Sequence, residues 1–184
     1  MTPIRSVRPV RLPGPRCLLR ELDEADVAPM YALMTEPRVF DRVLDEQPPS
    51  LDEVRDAVSV WRAEADGEPR PVYRLAAVAG DRLVGMGTLT VESPQHRRGE
   101  IGYVVHADHW GRGLGTEIAG LLLRLAFEQV GLHRVEATTR PDHVASYRVL
   151  EKIGMRREGI SRDHLLVRGQ WWDSVRYAIL ATDR

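Results

Sequence analysis

Trp110-Gly-Arg-Gly-Leu-Gly-Thr116 decides the fold: three glycines alternate and an apolar stretch follows at once, with Ile118, Leu121, Leu122, Leu125 and Phe127. Glycine opens backbone conformations that let several N–H groups converge on one point. The first N–H groups of a helix lack internal partners and carry partial positive charge. Gly111, Gly113 and Gly115 with Arg112 therefore describe a turn that accepts a phosphate at a helix start. The apolar spacing predicts an amphipathic helix over 116–130, ended by Gly131.

Two nucleotide motifs are tested by the same residues. A Walker loop requires Gly-Lys-Ser/Thr, which the chain lacks. The dinucleotide fingerprint requires glycine at 116, where Thr116 stands, and a strand ending at the turn, whereas Val105 lies upstream; only Glu136, near the ribose-binding offset, speaks for it.

Outward from the turn, Glu100 to Val105, Leu83 to Val91 and Tyr73 to Ala79 read as strands, joined by a tight hairpin at Gly80-Asp81 and a polar turn over 93–99. Such short links imply antiparallel pairing. Before them, Asp23 caps a helix ending near Met34, with Asp26 in its first turn. Proline-rich 36–50 reads as a loop, and Ser50 with Glu53 forms a capping box for a helix to Ala65. Downstream come a strand at Arg134 to Thr139, a helix from Ala145 to Ile153 stopped by Gly154, and strand-like pieces at Met155 to Arg157, Leu165 to Arg168 and Val175 to Leu180. Leu18 to Leu22 is a further short strand. Residues 1 to 15, with three arginines among four prolines, form an extended arm. The order describes a mixed α/β (α+β) domain over 16–184.

The bulk properties exclude several classes. Among 184 residues, 43% are apolar and 29% charged, a globular composition. Twenty-six basic against 27 acidic residues leave a net charge of −1, with no global drive towards nucleic acid or an anionic membrane. Apolar runs end well short of a membrane span, and no signal-peptide pattern opens the chain, so a cytoplasmic protein is expected. Cys17 is the single cysteine, which excludes an internal disulfide and reads as a half-buried structural residue. His96, His106, His109, His133, His143 and His164 show no metal-ligand spacing, so no metal is expected.

In this context four segments together resemble the GNAT acetyltransferases, over about residues 16–181. Glu100-Ile-Gly-Tyr-Val-Val105 running into the glycine turn is similar to that family's pyrophosphate-binding segment, and His143-Val-Ala-Ser-Tyr-Arg-Val-Leu-Glu-Lys-Ile-Gly-Met155 to its second cofactor segment. Leu19-Arg-Glu-Leu-Asp-Glu-Ala-Asp26, and Arg156-Arg-Glu-Gly159 with Trp171-Trp-Asp-Ser-Val-Arg-Tyr177, resemble the RimJ/RimL-like branch that acetylates N-termini of ribosomal proteins.

The resemblance implies a GNAT acyl-CoA N-acyltransferase fold, a mixed and mostly antiparallel sheet flanked by helices. It implies acetyl-CoA as cosubstrate. The pantetheine arm would pair with backbone groups of Tyr103, Val104 and Val105 where that strand splays from the strand 134–139. The pyrophosphate would sit on Gly111, Arg112, Gly113, Leu114, Gly115 and Thr116, with Trp110 and His143 flanking. Leu150 stands where many relatives carry a tyrosine acid, and Ser146 takes that role in this branch.

Glu100 is the candidate base, or else a solvated strand-end carboxylate; Ser146 is the candidate acid, or else a helix-surface hydroxyl. Trp171 and Trp172 either line an acceptor pocket or cover the core. The acceptor is a primary amine, expected as a protein or peptide N-terminus, with small amines and antibiotics as alternatives and an acyl-CoA sensor without turnover as another class. A monomer and a homodimer both fit.

Overall fold

The computed structural model describes residues 4–44 and 46–183. Eight strands form one sheet in the order β1-β2-β3-β4-β5-β6-β8-β7. They are β1 (Arg11–Pro13), β2 (Leu18–Glu21), β3 (Val72–Ala79), β4 (Arg82–Ser93), β5 (Arg98–Val105), β6 (Arg134–Thr139), β7 (Arg156–Val167) and β8 (Gln170–Leu180). Every neighbouring pair is antiparallel except β5 and β6. The helices are α1 (Val27–Thr35), α2 (Pro37–Phe40), α3 (Leu51–Ala65), α4 (Leu114–Arg124) and α5 (Val144–Lys152). Among the described residues no helix is long and apolar enough to cross a membrane.

Alternation along the strands feeds two cores, one on each face of the sheet. Tyr73, Leu75 and Ala77 of β3 join Ile118 and Leu122 of α4 on one face. Ala76 and Val78 point the other way, to Met30 and Leu33 of α1 and Val54 and Val58 of α3. The expected caps hold these helices. Ser50 and Glu53 form a reciprocal capping box, as do Asp23 and Asp26 around a short 3₁₀ turn that leads into α1.

Several details differ from the sequence reading. The segment 36–50 contains α2, because Glu36 caps it and Pro37 occupies its first turn, where a missing N–H costs nothing. Helix α4 begins at Leu114, two residues early, and ends at Arg124; a wider π turn over Leu125–Val130 completes the stretch to Gly131. The three short C-terminal pieces are two long strands forming one hairpin, turning at Arg168-Gly169. The arm expected at 1–15 lies against the domain over its described residues. Val10 and Leu12 are 2% and 1% exposed, and β1 pairs with β2. Arg70, buried over the Tyr73 ring, anchors that arm by donating to the Val7 carbonyl (3.1 Å) and to both carboxylate oxygens of Glu21 (2.7 and 2.8 Å).

The feature that positions the site is a fork. Strands β5 and β6 pair only where Arg98, Gly99 and Glu100 face Arg134, Val135 and Glu136. Beyond Glu100 no further pairs form, so one edge of Gly102 to Val105 lacks a strand neighbour while the other stays paired with β4.

Candidate active site

A cleft of about 400 Å3 opens at this fork. Its floor is Tyr103, Val104 and Val105, one end is the turn from Trp110 to Thr116, and the far wall is α5 through His143, Ala145, Ser146 and Val149. The structure thus gathers nearly all of the residues singled out from sequence. Arg112 is the exception within the turn: it is exposed and is not among the lining residues.

Backbone geometry explains the turn. Gly111 and Gly113 adopt φ of +76° and +78°, a region L side chains avoid. Gly113 is also the N-cap of α4, and no side chain caps that helix start. The first N–H groups of α4 are therefore left to a ligand. Trp110 braces the turn, its indole N–H donating to the Val105 carbonyl at 2.8 Å. The indole thus spends its only donor on protein, and its ring contributes an apolar wall.

Charge suits an anionic ligand. Arg42, Arg148 and Lys152 line the cleft, and no carboxylate does so among the described residues. Arg42, from the segment after α2, lies over the Trp110 ring at 5.2 Å. Burial, and then Arg42, lower the pKa of His143, which favours its neutral, hydrogen-bonding form. Arg16 is another cation beside the turn, its guanidinium facing Gly113 and paired with Glu117 of α4 at 3.6 Å. Phosphates fit this set of groups, and an extended amide chain fits the free edge of β5.

Glu100 lies at the fork itself. It accepts from the Thr138 hydroxyl at 2.9 Å, across the parting strands. Burial raises its pKa, Thr138 opposes that shift, and the nearby Glu92 and Glu136 add to it. Alternation puts Glu100 and Gly102 on the face of Val104, which packs towards α1 and α3, whereas Ile101, Tyr103 and Val105 point towards α4. A β-carbon at Gly102 would meet nothing within 4 Å, so this face beside Glu100 is open. Ser146 lines the cleft from α5, and the Tyr103 hydroxyl lies 3.1 Å from its Oγ. Leu150 is 1% exposed and belongs to the core, so its position supplies nothing to the cleft.

The segment 36–50 and the β7–β8 turn meet here. Arg168, at the β7–β8 turn, donates to the carbonyls of Phe40 (2.8 Å) and Val43 (3.2 Å) and covers the Phe40 ring. Arg140 lies over the Trp172 ring at 4.0 Å and donates to the Asp41 carbonyl. Neither Trp171 nor Trp172 enters a core cluster, and Trp171 is 61% exposed. Cys17 is structural: burial and Glu117 push its thiol up to about 12. Among the described residues no three His, Cys, Asp or Glu gather as a metal site.

Sequence reading missed Val39, Arg42 and Val43, which reach the cleft from a proline-rich segment without a periodic signal. It also missed Arg148 and Lys152, whose i, i+4 spacing with the cofactor-facing end of α5 was a usable signal.

Comparison with known proteins agrees with this geometry. Residues 16–156 match the acetyltransferase (GNAT) domain family. The chain is 30% identical over 181 residues to the probable N-acetyltransferase YjcK of Bacillus subtilis (strain 168), covering 94% of this chain and 98% of that one. Over 83 residues it is 31% identical to the [ribosomal protein uS5]-alanine N-acetyltransferase of Escherichia coli (strain K12), covering 45% of this chain and 43% of that one. Among solved structures, Mycobacterium smegmatis RimJ in complex with CoA-disulfide superposes with a TM-score of 0.85 at 25% identity, covering 96% of this chain and 90% of that one.

Proposed function

This chain belongs to the GNAT acetyltransferase family and is an acetyl-CoA-dependent N-acetyltransferase, and from that premise we propose that its acceptor is the α-amino group of a protein or peptide. The observation that carries this reading is that the candidate base at the fork is a carboxylate, Glu100, hydrogen-bonded to Thr138 across the parting strands. Glu92 and Glu136 stand close to it and raise its pKa, but both are ion-paired with Arg98, which leaves Glu100 as the carboxylate available to take a proton. An α-amine, with a pKa near 7.7–8.0, is about one-third neutral at pH 7.5, whereas roughly one lysine side chain in a thousand is. A site with one modest base suits the first acceptor. The resemblance to the RimJ/RimL-like branch supports it, as does a relative named as a [ribosomal protein uS5]-alanine N-acetyltransferase.

The site residues divide the work as follows. The turn from Gly111 to Thr116 and the cations Arg42, Arg148 and Lys152 hold the phosphates; Tyr103, Val104 and Val105 hold the pantetheine arm through backbone pairing. Trp110 and His143 flank the arm. Bound acetyl-CoA supplies an activated acetyl group and a thiol leaving group. Glu100, directly or through one water, takes the proton that the attacking amine sheds. Ser146, on the opposite side of the fork, meets the charge that develops on sulfur. Holding amine and thioester together supplies much of the acceleration, up to roughly 7–11 kcal/mol in favourable cases. The single buried cysteine and the balanced charge suit a reducing cytoplasm, where the protein acts as a monomer or homodimer.

An acceptor panel tests the assignment. Free-thiol release from acetyl-CoA is followed with peptides bearing a free N-terminus, with polyamines and with aminoglycosides. The peptides are expected to give the highest kcat/KM. A small amine that outperforms every peptide would move the chain to small-molecule acetylation.

A further inference from the structure

Tyr103 enters the site twice, and only its backbone has a role so far. Its side chain crosses from β5 to the first turn of α5, 43 residues away in sequence, and places its hydroxyl 3.1 Å from Ser146 Oγ and 3.5 Å from the Ser146 carbonyl oxygen. The ring packs against Gly115, where a β-carbon would lie 3.6 Å from Tyr103 Cε2. Strand β5, the start of α4 and the start of α5 therefore meet at this one side chain.

We propose that Tyr103 is a positioning residue for Ser146: the phenol donates to Ser146 Oγ and thereby leaves the serine's own hydrogen free to point into the cleft at the departing sulfur. This deepens the reading above, because it rests on Ser146 acting at the sulfur. Three points support the direction of donation. A carbonyl oxygen only accepts, so the phenolic hydrogen lies on the α5 side, where Ser146 Oγ at 3.1 Å is the nearer acceptor and the carbonyl at 3.5 Å the weaker one. A serine hydroxyl has one hydrogen and two lone pairs, so accepting from Tyr103 leaves its hydrogen unspent. Burial also raises the Tyr103 pKa, so the phenol stays a donor across the working range.

The balance of the step is unchanged by the pair. The C–N bond forms as the C–S bond breaks, and the electron pair leaves on sulfur. The amine nitrogen loses one proton, to Glu100 or water and from there to solvent, and the sulfur takes one from solvent water. The two hydroxyls keep their hydrogens at the end, having supplied an ordered hydrogen bond where the charge develops. An unheld serine would divide its hydrogen among helix carbonyls and solvent.

Tyr103→Phe, Ser146→Ala and the double variant test this, with the best peptide acceptor and thiol release as readout. Tyr103→Phe keeps the ring and its packing. It is expected to lower kcat about tenfold while the KM for acetyl-CoA changes less than about twofold, the split that marks an interaction made in the transition state. The double variant is expected to match Ser146→Ala alone, since the tyrosine acts through the serine. An unfolding midpoint within the error of the wild type excludes a general loss of structure. A Tyr103→Phe enzyme with unchanged kcat, beside an impaired Ser146→Ala enzyme, overturns the positioning role alone. Multiplicative losses in the double variant overturn it too. A Ser146→Ala enzyme that turns over like the wild type overturns the serine assignment itself.

Discussion

Replacing Gly113 by aspartate is expected to weaken coenzyme A binding by about a hundredfold, roughly 3 kcal/mol. Gly113 sits at φ +78° as the N-cap of α4. A residue with a β-carbon there costs about 1–2 kcal/mol in the left-handed region, which favours a relaxed turn whose N–H groups no longer converge. The new carboxylate adds repulsion against a phosphate at the same helix start. The structure gives a further reason. The β-carbon would come 2.7 Å from the Arg16 guanidinium, which can move because it ends a flexible side chain, and the aspartate would then hold that cation away from the ligand. Calorimetry with coenzyme A measures the loss. An affinity within threefold of the wild type would mean that the phosphates bind elsewhere.

Glu100→Gln is expected to lower kcat/KM at pH 7.5 by about a hundredfold, within the range for losing a general base. The glutamine keeps the shape and still accepts from Thr138, so the change is one of basicity. The pH dependence has a definite sign. The base works when ionised, and burial has raised its pKa above the ordinary carboxylate value. Wild-type activity is therefore present above the raised pKa and lost as pH falls through it. Stability runs the other way. A carboxyl whose pKa is raised on folding adds stability fully below its unfolded pKa, and that contribution is lost as pH rises through the folded value. A neutral glutamine escapes that loss, so the variant should unfold at the same or a higher temperature at pH 8 while being nearly inactive. An active variant would assign the proton to another acceptor; an inactive variant that is also strongly destabilised would mark Glu100 as structural.

The parts of this molecule that were legible in sequence are those where local chemistry dictates local shape. The glycine turn is one, since Gly111 and Gly113 both take the left-handed backbone that their spacing implied. The Ser50–Glu53 and Asp23–Asp26 boxes are others, and so is the two-residue connection between β3 and β4 at Gly80-Asp81. Strand β7 was hidden because its middle, from Arg157 to His164, is polar and largely exposed, and it is broken by a bulge with Asp163 at φ +47°. No alternation survives there to be read. The fork between β5 and β6 was reachable only through family resemblance, because a strand that loses its neighbour keeps the same side-chain pattern. The meeting of Tyr103 with Ser146, and of Arg42 with Trp110, depends on tertiary packing alone. Resemblance named the serine; only the folded chain places the Tyr103 hydroxyl beside it.

The most direct test of the account is the regiochemistry of transfer on one peptide that carries both a free N-terminus and an internal lysine. After partial turnover with acetyl-CoA, fragmentation mass spectrometry locates the acetyl group. The label is expected on the α-nitrogen at pH 7.5, with the lysine unmodified while substrate remains. Acetylation of the lysine Nε with the α-amine left free would contradict the α-amine assignment, because a carboxylate base at the fork does not suit an amine that is protonated in all but about one molecule in a thousand.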